Sequence, residues 1–238
     1  MLHERPAPID EAVRRLTASV AHGVGNSLAS VRTYAQLVAD HLEDTELGKR
    51  CAERIVSDSR RIEAMIGTLA RLGSLPAPVR RPVDVSAMFA GLLANEHAQM
   101  DQRHLVVHGD LERAQPFALG DADQLTFAFE LLLGETIAWS PDGGELHVAV
   151  KHQQAVGTAA ALLRITLRFP GTPAAIVVFA ENGRGAVTAE AVVRAHGGSF
   201  SVRAREGNGE VIVDLPTSVP VRVSECRHRL DQASHRAP

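Results

Sequence analysis

His22 is the residue in this sequence best placed to do chemistry at a surface. It lies in the stretch Leu16 to Leu37, LTASVAHGVGNSLASVRTYAQL. A neutral imidazole is a competent nucleophile near pH 7, because its pKa lies close by. Asn26 follows four residues later, which on a helix places its amide on the same face as the ring, within hydrogen-bonding reach of whatever the ring attacks. Gly23 and Gly25 flank the histidine although each costs about 1 kcal/mol in a helix interior. Small residues at these places imply close approach by a bulky partner. Gly23, Gly25 and Ser27 keep that approach open, and Arg32, about three turns on, offers a cation to an acidic partner surface.

A long helix must carry these groups. Val13, Leu16, Val20, Val24, Leu28, Val31, Ala35, Val38 and Leu42 step by three or four and line one face, while His22 is turned off that stripe toward solvent. Asp10 and Glu11 favour the start of this helix, and Glu43-Asp44-Thr45 turns the chain. A second helix follows from about Glu46 to Leu72, with its own stripe of Leu47, Cys51, Ile55, Ile62, Met65, Ile66, Leu69 and Leu72. So short a turn makes an antiparallel hairpin. Two helices cannot bury both seams alone. A second copy would complete a dimeric four-helix bundle; the competing arrangement packs the seam on the downstream residues.

Prolines 76, 78 and 82 break the helical pattern and mark a linker. The pattern beyond is mixed α and β: a helix capped by Asp84 or Ser86 and running to about Met100, short strands at 105–108 and 116–119, and a strong helix from Asp121 to Trp139. Ser140-Pro141-Asp142-Gly143-Gly144 ends that helix. Strands are expected at 145–151 and 162–169, then a helix from Thr188 to Ala195 stopped at His196-Gly197-Gly198, where the histidine reads as structural. A hairpin of 199–205 and 210–215 closes the pattern. The expected fold is α+β, with residues 1–78 as helical hairpin, 79–218 as an α/β sandwich and 219–238 as a polar tail.

Bulk composition narrows the function classes. The chain has 238 residues, 45% hydrophobic and 22% charged, an ordinary globular composition. Lys plus Arg is 25 against Asp plus Glu 28, a net of −3, and aromatics are 4%. Neither a basic field nor stacking platforms argue for nucleic acid. Cys51 and Cys226 make no metal or disulfide pattern and suit a reducing compartment. No stretch approaches the roughly 20 apolar residues of a membrane span, and the start lacks an apolar signal core. The expectation is a cytoplasmic protein without nucleic-acid or membrane partners.

Specific words sit in this frame. Ala21-His22-Gly23-Val24-Gly25-Asn26-Ser27-Leu28 resembles the H-box of sensor histidine kinases, His-Glu-x-x-Asn-Pro-Leu, and Val31, Tyr34, Ala35 and Leu37 continue it. Asp121-Ala122-Asp123-Gln124-Leu125, then Leu131 to Gly144, resembles the helix opening the kinase ATP-binding domain and its exit. Ala195-His196-Gly197-Gly198 and Val213-Asp214-Leu215-Pro216 are similar to that domain's close. The resemblance covers about Asp10 to Pro216.

The resemblance implies a dimerisation and phosphoacceptor hairpin followed by an ATPase-like domain, and it makes the departures informative. Where the family carries an Asn that helps hold Mg²⁺, Trp139-Ser140-Pro141 sets a register that puts Glu135. Where the family's Asp-x-Gly-x-Gly reads the adenine amine, this chain has Phe169-Pro170-Gly171-Thr172-Pro173. The phosphate-cradling glycine stretch is reduced to Asn182-Gly183-Arg184-Gly185, with little room between Phe169 and Gly183 for a lid. The acidic residue after the family's histidine, able to act as a base, is Gly23 here. An adenine site lacking its acceptor discriminates steeply against its ligand, so the expectation is no ATP binding and no resident cofactor or metal.

The kept imidazole and altered nucleotide site resemble dimeric histidine phosphotransferases of bacterial phosphorelays. On that reading His22 takes a phosphoryl group from one receiver-domain aspartate and passes it to another, with Asn26 orienting the group and the receiver supplying Mg²⁺. Two alternatives stand beside it: a divergent sensor histidine kinase, and a non-catalytic scaffold or inhibitor that binds a kinase or response regulator.

Overall fold

A computed structural model describes residues 8–112, 117–153, 161–205 and 207–217. The proposed tail at 219–238, Cys226 and part of the turn between the last two strands lie outside the described residues.

Two long antiparallel helices come first, α1 (Pro8–Asp40) and α2 (Thr45–Gly73). Asp44 caps α2 by accepting from the Leu47 amide at 2.9 Å, which explains the sharp start after the turn. The hairpin's seam is divided. Ala12 and Leu16 of α1 and Leu72 of α2 are buried and join the core of the downstream domain. Further along, Val20, Cys51 and Met65 are buried, whereas Leu28, Leu42, Val56 and Ile66 stay 47–77% exposed.

The proline-rich stretch is pinned onto the sheet domain. The Val79 amide donates to Asp121 Oδ2 at 3.0 Å, and Gln124 Nε2 donates to the Pro76 carbonyl at 3.0 Å. From Arg81 the chain is already a strand: β1 (Arg81–Asp84) pairs antiparallel with β3 (Phe117–Gly120). Asp84 caps α3 (Val85–Asn95), and α4 (His97–Gln102) comes after a break at Glu96, so the single helix expected to Met100 is two. Then come β2 (Val106–Leu111), α5 (Ala122–Trp139), β4 (Glu145–Gln153), β5 (Leu162–Pro170), α6 (Pro173–Asn182), α7 (Arg184–Ala195), β6 (Ser199–Arg205) and β7 (Asn208–Pro216).

Five strands form the main sheet in the order β2-β4-β5-β7-β6, antiparallel except for the parallel β2–β4 pair. Side chains alternate between faces. Leu163, Ile165, Leu167 and Phe169 of β5 point into the core with Leu146, Val148 and Val150 of β4. α5 covers that face with Leu125, Phe129, Leu132, Leu133 and Ile137, all at 0% exposure. Phe129 packs on Phe89 of α3 at 5.1 Å between ring centroids. Arg103 holds the exit of α5, donating to the carbonyls of Ile137, Ala138 and Ser140 and to Asp142 Oδ1. This is the expected α+β architecture: a helical hairpin, then a helix-covered sheet.

Two further elements differ from the sequence expectation. α6 occupies Pro173–Asn182, where the sequence pattern marks no element, with Thr172 as its cap and Pro173 in its first turn. α7 starts at Arg184 rather than Thr188, because its first turn is capped from outside the segment.

Candidate functional site

His22 projects from the exposed side of α1. Asn26 Nδ2 lies 3.1 Å from His22 Nε2. The amide and the ring nitrogen are thus within hydrogen-bonding distance on the exposed face of the helix. The i,i+4 spacing brings one amide onto the ring and holds its orientation.

The small residues around the pair divide by face. Gly25 is exposed, and a methyl added there would meet nothing within 4 Å. Gly23 is half-buried, and a Cβ there would come within 2.7 Å of Met65 Sδ on α2. Close helix packing accounts for Gly23. Ser27 is only 4% exposed, which corrects its assignment to the approach surface: it follows Val20 and Gly23 on the inward row of the helix. Leu28, placed on the apolar stripe, is instead 54% exposed. Arg32 is exposed on α1.

The second region lies between α5, α6 and α7. Glu135 of α5 turns its carboxylate into the first turn of α7, accepting from the amides of Arg184 at 3.0 Å, Gly185 at 2.7 Å and Ala186 at 3.1 Å. Those amides have no intrahelical acceptor, and the positive end of the helix dipole favours an anion there. Gly183 and Gly185 permit the approach. A Cβ on Gly185 would fall 2.4 Å from the Leu131 carbonyl oxygen, and one on Gly183 would fall 2.8 Å from Glu135 Oε2. Burial raises the Glu135 pKa above its ordinary value, opposed by the three amide hydrogen bonds and the Arg184 charge.

Aromatic rings from α5, β5 and α6 pack together. Phe169 is 1% exposed and Phe179 0%, with centroids 5.0 Å apart, and Trp139 meets Phe179 edge-on at 6.0 Å. Phe179 and the buried Ile176 both come from α6, the helix absent from the sequence expectation. Its apolar run AAIVVFA and the Thr172-Pro173 start are the local signals from which this helix could have been found.

His196 is structural, as its place at a helix stop implied. It is fully buried, its Nδ1–H donates to the Val192 carbonyl at 2.7 Å, and its Nε2 accepts from the Asp121 amide at 3.0 Å. Desolvation lowers its pKa below the usual imidazole value and keeps it neutral. Gly197 then adopts φ 79°, the left-handed conformation that ends α7.

A polar clamp ties the hairpin to this region. Arg15 of α1 meets Glu190 of α7 at 2.7 Å and also donates to the Glu181 carbonyl at 3.3 Å.

The comparisons agree with this geometry. Residues 12–78 match the His Kinase A (phospho-acceptor) domain. The chain is 27% identical over 144 residues to the sensor-like histidine kinase SenX3 of Mycolicibacterium smegmatis, covering 58% of this chain and 37% of that protein. It is 26% identical over 226 residues to the probable sensor histidine kinase TcrY of Mycobacterium tuberculosis, covering 87% and 46%. It is 28% identical over 237 residues to the sensor protein kinase PmrB of Pseudomonas aeruginosa, covering 92% and 49%. Thus it spans less than half the length of these relatives. Among solved structures, Acinetobacter baumannii histidine kinase AdeS superposes with a TM-score of 0.61 at 18% identity, covering 83% of this chain and 98% of that one. Histidine kinase ThkA, in its complex with response regulator protein TrrA, superposes at 0.70 with 13% identity, covering 87% and 62%. Residues 12–78 thus match a phosphoacceptor domain model, and the fold of hairpin plus helix-covered sheet is similar to that of solved histidine kinases. Among the described residues, no helix is long and apolar enough to cross a membrane.

Proposed function

We propose that this chain is a histidine phosphoacceptor of two-component signalling, in which His22 carries the phosphoryl group and a response-regulator receiver domain is the partner. The His Kinase A match over residues 12–78 and the His22–Asn26 pair support the first part. The complex of ThkA with a response regulator supports the second by analogy of fold. A second copy of the chain would cover Leu28, Val56 and Ile66 in a four-helix bundle.

The source of the phosphoryl group separates two readings. The relatives are named as kinases, none of those above as a phosphotransferase, and this favours a protein drawing on ATP. One observation favours the opposite source: Glu135 takes the α7 amides that the family's glycine stretch offers to phosphates, while Phe169 replaces the adenine-reading acid. A carboxylate already seated on those donors competes with any phosphate. On this ground we assign loading from a receiver aspartyl phosphate rather than from a nucleotide bound by this chain. The P–N bond forms at the ring nitrogen that carries the lone pair as the acyl P–O bond breaks, the aspartate leaves as carboxylate, and the proton on the other ring nitrogen passes to solvent. The return step reverses these bonds on a second receiver. Positioning supplies most of the catalysis in such transfers, and Asn26 contributes it here by holding the ring.

The test offers the chain each donor separately: radiolabelled ATP with Mg²⁺ in one reaction, a labelled phospho-receiver in another. Label from the receiver alone supports transfer; label from ATP alone establishes the kinase reading. A chain that binds receiver and accepts label from neither donor is a scaffold.

A further inference from the structure

The solvent face of the main sheet carries a cluster that the phosphoacceptor reading does not use. His108 on β2 and His147 on β4 are direct partners in the parallel register, and Glu145 precedes His147 by two residues on the same face. All three are exposed, and their ligand atoms lie within 4.8 Å of one another. Glu145 Oε2 is 3.6 Å from His108 Nε2 and 3.4 Å from His147 Nε2. Both separations exceed the roughly 2.7–3.2 Å of a direct N–H···O hydrogen bond. They match the edge of a tetrahedron with metal–ligand bonds of about 2.0–2.2 Å, whose ligand atoms stand about 3.3–3.6 Å apart.

The geometry points to a divalent transition-metal site formed by His108, Glu145 and His147, with Zn²⁺ as the probe ion. Two imidazoles and one carboxylate are the ligand chemistry such ions take, and three protein ligands leave a position open to water. The rings lie nearly parallel, 16° between planes with centroids 4.4 Å apart. The cation opposite His147 is Arg168, whose charge is already met by Glu210 at 2.7 Å. The bound ion would fasten β2, which pairs within the main sheet only with β4, in its register. It acts as a cross-strand clamp on the edge of the sheet domain, independent of His22.

Titration of the full chain with Zn²⁺, followed by calorimetry and by thermal unfolding, tests this. The wild type should bind one ion at this cluster, and at a hundred-fold excess over Kd its Tm should rise by roughly 5–10 °C. The double substitution H108A/H147A should weaken that binding at least ten-fold and abolish the rise, and E145Q should weaken it less. H97A, at an exposed histidine outside the cluster, should leave it unchanged. Because the cluster side chains are exposed, these variants should retain the wild-type circular dichroism spectrum. Equal affinity and equal Tm shift in wild type and the double variant would overturn the site, as would a wild type with no Zn²⁺ binding in the micromolar range.

Discussion

The Gly185 amide donates to Glu135 Oε2 at 2.7 Å, joining the start of α7 to the C-terminal part of α5 across 50 residues of sequence. Three consecutive amides converge on this one carboxylate, so a helix terminus that could hold an anion from solution holds one from the chain itself. The substitution Glu135→Gln turns an NH₂ toward one of those donors. It should destabilise the fold by about 1–3 kcal/mol, read as a lower urea midpoint at unchanged slope. Because Phe169, at the place of the adenine-reading acid, stays buried against Phe179, it should not create ATP binding; a fluorescent nucleotide titrating onto this variant would contradict that.

The two glycines around His22 should respond differently to substitution by alanine. Gly25→Ala meets no neighbour and should stabilise the chain by about 0.5–1 kcal/mol. Gly23→Ala gains the same propensity but pushes Met65 Sδ from 2.7 Å, so its net effect should be close to zero, and Gly23→Leu should be clearly destabilising. Chemical unfolding of the three variants checks the order. If receivers approach over Gly25, its alanine variant should also slow phosphoryl transfer while raising stability.

His196 gives the fold a pH dependence whose sign comes from its lowered pKa. Above about 6.5, the usual imidazole value, it is neutral in both folded and unfolded chains and favours neither. Below that, the unfolded chain binds a proton that the folded chain resists, so stability falls as pH drops toward the lowered folded value. Urea unfolding at pH 7.5 and 5.5 should show the loss. His196→Gln should be less stable at pH 7.5 and should show a flatter decline.

Arg15→Ala should loosen the hairpin from α7. It removes the 2.7 Å pair with Glu190 and a carbonyl contact, while Glu190 keeps Arg194 at 2.7 Å. The expected cost is about 1 kcal/mol, with faster amide exchange in the first turns of α1 and little change in the main sheet. Uniform acceleration across the sheet would show that the clamp supports the whole fold instead.

Local signals made much of this readable in the sequence. Asp121 and Ser140-Pro141 bracket α5, and the actual helix is Ala122–Trp139. The spacing that turned His22 to solvent and set Asn26 beside it survives in the structure. What was missed depends on residues far apart in sequence. α7 begins early because its capping group comes from Glu135, not from a neighbouring Ser or Asp. Ser27 reads as a small surface residue until α2 is packed, and Leu28 reads as core until the hairpin is seen alone. His108 and His147 meet only because β2 runs parallel to β4, a pairing that neither strand announces.

Phosphoryl transfer to His22 itself is the most direct measurement. Phosphorylated receiver domains are mixed with wild type, His22→Gln and Asn26→Ala, and acid-labile phosphate on the chain is followed over time. Wild type should take label and His22→Gln none. Asn26→Ala should take it at a rate reduced about ten-fold or more, since the ring loses the hydrogen bond that orients it. Undiminished label on His22→Gln would place the chemistry at another residue and contradict the role of His22 as phosphoacceptor.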